Sequence, residues 1–165
     1  MMGELTQPMM RIMQLLRRVP TAAATIKGSS AYPNLRGVVR LYPMGDGTLL
    51  TAEVFGLPKT ETGIFGFHIH AGTACSGNAT DPFADAEGHF SPVVREHPMH
   101  AGDLPPLFAD TDGTALMAVY TDRFTPQEVI GHAVIVHAHP DDFHTQPAGD
   151  SGMKIACGLL RAMRN

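Results

Sequence analysis

GIFGFHIH, residues 63–70, is the stretch on which the reading of this chain turns. Its aromatic and β-branched residues mark a strand, and on a strand alternate side chains share a face. His68 and His70 therefore project together, while Phe67 and Ile69 project to the opposite side. Two neighbouring imidazoles in so apolar a run are expensive as bare buried polar groups. A metal ion would give both rings a partner.

Composition sets the frame around that strand. The chain has 165 residues, 44% of them hydrophobic, with 17 Gly and 13 Pro. That is enough for one domain with its own core, and the Gly and Pro punctuation favours short strands joined by turns over long helices. A net charge of −4 argues against nucleic acid or an anionic membrane as a bulk partner. An anionic substrate would need a local positive site, since the whole molecule offers no attraction. The opening MMGELTQPMMRIMQLLRRVP carries Glu4 where a leader wants positive charge, and Arg11, Gln14, Arg17 and Arg18 cut its apolar run. No secretory leader or membrane span is expected there. The compartment stays open between the cytoplasm and an exported chain whose leader has been removed.

Residues 1–20 read as an arm and 21–165 as the domain. Within the arm, Thr6 is positioned to cap a helix over 7–19 stopped by Pro20, with Met9, Ile12, Met13 and Leu16 on one side. Five of the ten methionines fall in the first thirteen residues, a soft-ligand set for Cu(I). The helical spacing favours a docking arm or a homodimer contact over that reading. Strands are predicted at 21–28, 35–43, 48–58, 63–70, 106–109, 115–121, 132–138 and 153–160, with a hairpin turn at MGDG, 44–47. The fold class is therefore all-β: an eight-stranded antiparallel sandwich or barrel with two long loops, 71–106 and 138–152.

The first long loop supplies His89, then His97-Pro-Met-His100-Ala-Gly-Asp103. Three imidazoles and a carboxylate suit tetrahedral zinc. His68, His70 and His137 make a second, nitrogen-rich set suited to copper. Cys75 and Cys157 are, on residue type alone, either two buried thiols or one disulfide.

Taken together, GFHIH, GHF, HPMHAGDLP, GHAVIVH with Asp141-Asp142 beyond it, and KIACG resemble the copper/zinc superoxide dismutase family in order and spacing. The resemblance runs from about Thr21 to Leu160 and implies a Greek-key barrel. It implies copper held by His68, His70, His89 and His137, and zinc held by His89, His97, His100 and Asp103. His89 would be the shared ring and a catalytic residue, Asp141 the carboxylate linking a zinc ligand to a copper ligand, and Cys75–Cys157 an intrasubunit disulfide. The implied reaction converts superoxide to dioxygen and hydrogen peroxide by cycling between Cu(II) and Cu(I). A copper/zinc-binding or copper-buffering protein with weak turnover is the alternative.

Departures from the family pattern concern the anion. Lys154 stands where the family carries an arginine aimed into the channel, so the expected second catalytic residue keeps its charge but loses the planar fork. The loop 138–152 holds no Lys or Arg to guide superoxide, and Ala148-Gly149 replaces a Thr-Gly pair at the channel rim. Weak steering and a shallow salt dependence are expected. His132 reads as a surface strand residue, and His139 and His144 as exposed loop histidines.

Overall fold

A computed structural model describes residues 6–164. Met1, Met2 and the rest of the first five residues of the arm lie outside the described residues. One helix, α1 (Gln7–Leu15), precedes ten strands: β1 (Ala22–Gly28), β2 (Arg36–Met44), β3 (Gly47–Phe55), β4 (Ile64–Phe65), β5 (Phe67–His70), β6 (Leu107–Phe108), β7 (Ala115–Thr121), β8 (Ala133–His137), β9 (Lys154–Leu159) and β10 (Arg161–Ala162). The helix stops four residues short of the expected Val19. Pro20 supplies no N–H to Leu16 and disfavours helical backbone at Val19, so its effect reaches back a full turn. Thr6 is the N-cap residue, but its side chain makes no capping hydrogen bond. No α1 side chain is buried.

The main sheet runs β5-β8-β9-β1-β2-β3-β7, all antiparallel, with β10 added beside β1. The expected single strand over 63–70 breaks at Gly66 into β4 and β5. There a Cβ would lie 2.7 Å from Ser151 Oγ, and the Gly66 amide bonds His139 O at 2.8 Å. The detached β4 pairs with β6 (Ile64 with Phe108, Phe65 with Leu107) as a separate two-stranded sheet beside the curled main sheet of the barrel. Ile26, Leu41, Leu50, Phe65, Phe67, Ile69, Leu107, Val134, Val136, Ile155 and Leu160 fill the interior. The alternation expected of GFHIH is present. Phe67 and Ile69 are in this core, while His68 and His70 face outward yet are 0% and 2% exposed.

The loop after β5 buries that outer face. It hydrogen-bonds the free edge of β5 through Ile69 N to Gly102 O (2.9 Å) and Phe90 N to Ile69 O (2.8 Å), which leaves no open strand edge there. A second apolar cluster of Phe83, Ala86, Ala133, Ile135 and Cys157 forms beneath its first half. Cys75 and Cys157 are bridged, tying that half-loop to β9 across 82 residues of sequence.

Candidate metal centre

Six histidines and two aspartates meet where the first long loop crosses β5 and β8. His68 and His70 come from β5, and His137 ends β8. His89 lies beside His70 through an isolated bridge, and Asp103 beside His68 through another. Two clamps hold the 97–103 segment. Arg123 Nη1 donates to Pro98 O (2.8 Å) and His100 O (3.2 Å), and Gln146 exchanges two hydrogen bonds with the His97 backbone at 2.9 and 2.7 Å.

The tautomer of each ring follows from its partners, because a carbonyl or carboxylate oxygen can only accept. His70 Nδ1 donates to Glu87 O (2.7 Å), His137 Nδ1 to Gly152 O (3.1 Å) and His100 Nε2 to Arg95 O (3.1 Å). His68 Nε2 and His97 Nε2 donate to the two oxygens of Asp141 at 2.7 and 2.8 Å. In each neutral ring the other nitrogen is then a bare lone pair. His70 Nε2 and His137 Nε2 face each other at 3.2 Å, lone pair to lone pair, which is repulsive without a cation between them. His68 Nδ1, His89 Nε2, His97 Nδ1 and His100 Nδ1 are buried with no hydrogen-bond partner. Asp103 faces three rings: His89 Nδ1 at 2.6 Å, His97 Nδ1 at 3.1 Å and His100 Nδ1 at 3.2 Å.

These atoms form two groups, His68/His70/His89/His137 and His89/His97/His100/Asp103, the ligand atoms of each lying within 4.8 Å of one another. Unpaired buried lone pairs aimed at two common points are what a pair of transition ions needs. Every residue that the sequence nominated as a metal ligand is in one of the groups, and His89 is in both. Asp141 bonds one ring of each. Gly149 makes room for that link: its φ is +68°, and a Cβ would come 2.1 Å from Asp141 Oδ1 and 2.7 Å from His97 Nε2.

Burial favours the neutral form of His68, His70 and His137. It lowers His68 despite the Asp141 hydrogen bond, and together with the neighbouring His137 it pulls His70 well down. Burial, then the charge of a protonated His68, takes His137 to about 3. Asp141 is held at about 2, since the His68 and His97 hydrogen bonds outweigh the opposing effect of burial. Neutral imidazoles and ionised carboxylates are the forms that bind metal. In the metal-free protein they also set acid stability. Between pH 6.5, the ordinary value, and about 3, unfolded His137 binds a proton that folded His137 refuses. Stability therefore falls as pH falls through that window, by roughly 2 kcal/mol at pH 5 from this ring alone. Asp103 and Asp141 act in the same direction at lower pH, as acid begins to protonate them. Urea midpoints of the metal-free protein are expected to be lower at pH 5 than at pH 7.5, and an equal or higher midpoint at pH 5 contradicts this account.

The copper-suited group opens onto a cleft of about 430 Å³ lined by His70, His89, His137, Asp81, Met153 and Lys154, among others. A bulge between Val136 and His137 pairs Lys154 with His137 across the sheet, while Ile155 turns into the core. His139 and His144 are exposed and outside both groups, as expected. His132 differs from expectation. It is half-buried just before β8, donating from Nδ1 to Ala71 O (2.8 Å) with its ring 4.7 Å from Phe90. Sequence reasoning also missed Asp81, which pairs with Lys154 from a point 73 residues away.

Barrel and donor sets together define an all-β metalloprotein with two abutting histidine-rich binding groups. The copper/zinc superoxide dismutase (SODC) family model matches residues 35–160, and the chain belongs to that family. It is 32% identical over 161 residues to the Cu-Zn superoxide dismutase of Deinococcus radiodurans, covering 87% of this chain and 86% of that one. It is 31% identical over 139 residues to Cu-Zn superoxide dismutase 2 of Aquifex aeolicus, covering 76% and 78%. The crystal structure of the clock protein EA4 shares the fold, with a TM-score of 0.73 at 22% identity over 88% of this chain and 97% of that one.

Proposed function

We propose that this chain dismutes superoxide, two anions and two protons giving one dioxygen and one hydrogen peroxide. His68, His70, His89 and His137 would hold copper, and His89, His97, His100 and Asp103 would hold zinc. The observation that carries the reading is His89, the one residue common to both donor groups, with its side chain 2% exposed. Bound copper supplies one-electron exchange with the substrate, and bound zinc fixes a positive charge beside it.

The chain's residues account for the rest. His89 lines the cleft, and its buried Nε2 has no hydrogen-bond partner, which leaves an atom at which a proton could be held and passed to reduced oxygen. Asp141 orients one ring of each donor set, so neither can turn without disturbing the other. Glu87 O and Gly152 O fix the His70 and His137 rings with Nε2 inward. Lys154 places the cleft's positive charge beside His137.

Protein loaded with copper and zinc is expected to consume superoxide far faster than the metal-free protein, and equal rates would overturn the reading. We also propose residues 21–165 as the folding unit, because α1 buries nothing and the barrel begins with Thr21 N on Leu41 O. The chain lacking residues 1–20 is expected to keep its specific activity. Met9, Met10 and Met13 on α1 and Leu16 just after it are exposed, so a homodimer built through the arm would become monomeric in that truncation.

Among the described residues, no helix is long and apolar enough to cross a membrane.

A further inference from the structure

Lys154 is the one cation among the described residues lining the cleft, where Asp81 and Glu87 are the acids. Its ammonium is already engaged. Lys154 Nζ meets Asp81 Oδ2 at 2.5 Å, with the side chains 15% and 38% exposed. The carboxylate is built into place from several directions. Asp81 Oδ1 accepts from Phe83 N (3.0 Å), and its backbone oxygen accepts from Asn78 N (2.9 Å) and Ala84 N (3.2 Å). Asn78 Oδ1 in turn accepts from the amides of Thr80 and Asp81, both at 3.0 Å. With Oδ1 committed to the turn, Oδ2 is left for the lysine.

We infer that Asp81 is a specificity-determining residue for the anion: its carboxylate occupies the Lys154 ammonium, and a small monoanion must displace it to use that charge. The inference rests on the cleft being the path of superoxide. From a Debye length away, roughly 10 Å at 0.1 M salt, the pair presents no net charge. Glu87 then adds a negative charge to the lining, so the attraction left to an anion is that of the ions the site would hold. Within the cleft, the anion competes with a carboxylate that the turn holds at the lysine. Burial works against the charged form of Asp81, yet the Lys154 and Phe83 hydrogen bonds keep it below the ordinary carboxylate range, in keeping with a persistent pair.

The test is Asp81→Asn in the copper- and zinc-loaded protein. Asparagine keeps the Oδ1 acceptor for Phe83 N, while its amide N–H group can neither pair with nor accept from the ammonium, and metal content verifies that the site is intact. At low salt kcat/KM for superoxide is expected to rise roughly threefold to tenfold, and the rate should now fall with added salt. A second readout separates local release of the lysine from a general change of charge. The affinity of azide, a small linear monoanion, is measured by optical titration of Asp81→Asn in the parent and in a Lys154→Met background. A larger gain in the parent is expected, because only there is an ammonium set free. Equal gains in both backgrounds, or no gain in kcat/KM, overturn the inference while leaving an active parent enzyme as a dismutase. A parent no faster than its metal-free form would instead defeat the functional reading.

Discussion

His89→Ala is expected to lose dismutase activity by well over a hundredfold and to release copper on dialysis while retaining part of its zinc. The asymmetry follows from the donor sets. Removing the ring takes one nitrogen from His68, His70 and His137 and one from His97, His100 and Asp103, and in addition it severs the only side chain common to both. The zinc-suited set keeps a carboxylate that the remaining rings already face, Asp103 Oδ2 being 3.1 Å from His97 Nδ1 and 3.2 Å from His100 Nδ1. The copper-suited set keeps three neutral imidazoles and no charge. Loss of a residue that merely orients a ligand commonly lowers metal affinity or activity 10–100-fold, so loss of a shared ligand should exceed that. The measurements are bound copper and zinc after dialysis, and superoxide consumption. A variant that keeps both ions and a tenth of the activity contradicts the assignment of His89. His144→Ala is the control: that ring is exposed and outside both groups, so neither quantity should move.

Much of this donor cluster is legible in the sequence because the residue types that could hold a metal travel with local pattern. The His-x-His step on β5 fixes two rings by strand geometry alone, and Phe67 and Ile69 between and before them reveal which face is core. The two three-residue steps from His97 to Asp103 do the same for a turn. What escapes is whatever depends on backbone atoms or on distant pairing. Nothing about Glu87 announces that its carbonyl holds His70, since every residue has a carbonyl. The break at Gly66 that frees β4 to pair with β6 needs knowledge of Ser151, far along the chain. Asp81 belongs to the same class: an acid in a loop of polar residues is ordinary until β9 brings Lys154 to it. His132 escapes for a related reason, because its partner Ala71 O lies 61 residues away and leaves no trace in spacing.

Replacing both cysteines, as Cys75→Ala with Cys157→Ala, is expected to destabilise the fold by roughly 4–5 kcal/mol, because the bridge closes a very long loop. At the size of this domain that corresponds to about 10–15 °C in Tm. The sequence separation of 82 sets the entropic part, since the unfolded chain regains the freedom the cross-link removes. Alanine avoids putting a hydroxyl among Phe83, Ala86, Ala133 and Ile135, so the apolar cluster loses volume without gaining an unpaired polar group. The consequence extends to the metal centre through the half-loop that Cys75 anchors. That segment carries Glu87, whose carbonyl sets the His70 ring, and Asp81, which holds Lys154. Glu87 itself has a φ of +62°, a backbone state a non-glycine residue keeps only under restraint from its surroundings. Freed from the bridge, Glu87 can relax and His70 Nδ1 loses its acceptor, so copper affinity should fall along with stability. Thermal unfolding of the metal-free and the loaded variant separates the two effects: the loop term appears in both, and the His70 term appears as a smaller stabilisation by copper. A variant with the parental Tm in both states would mean that the loop is held by Ala71–Gly88 and Gly72–Ala86 backbone bonds alone, and that the disulfide contributes neither stability nor ring orientation.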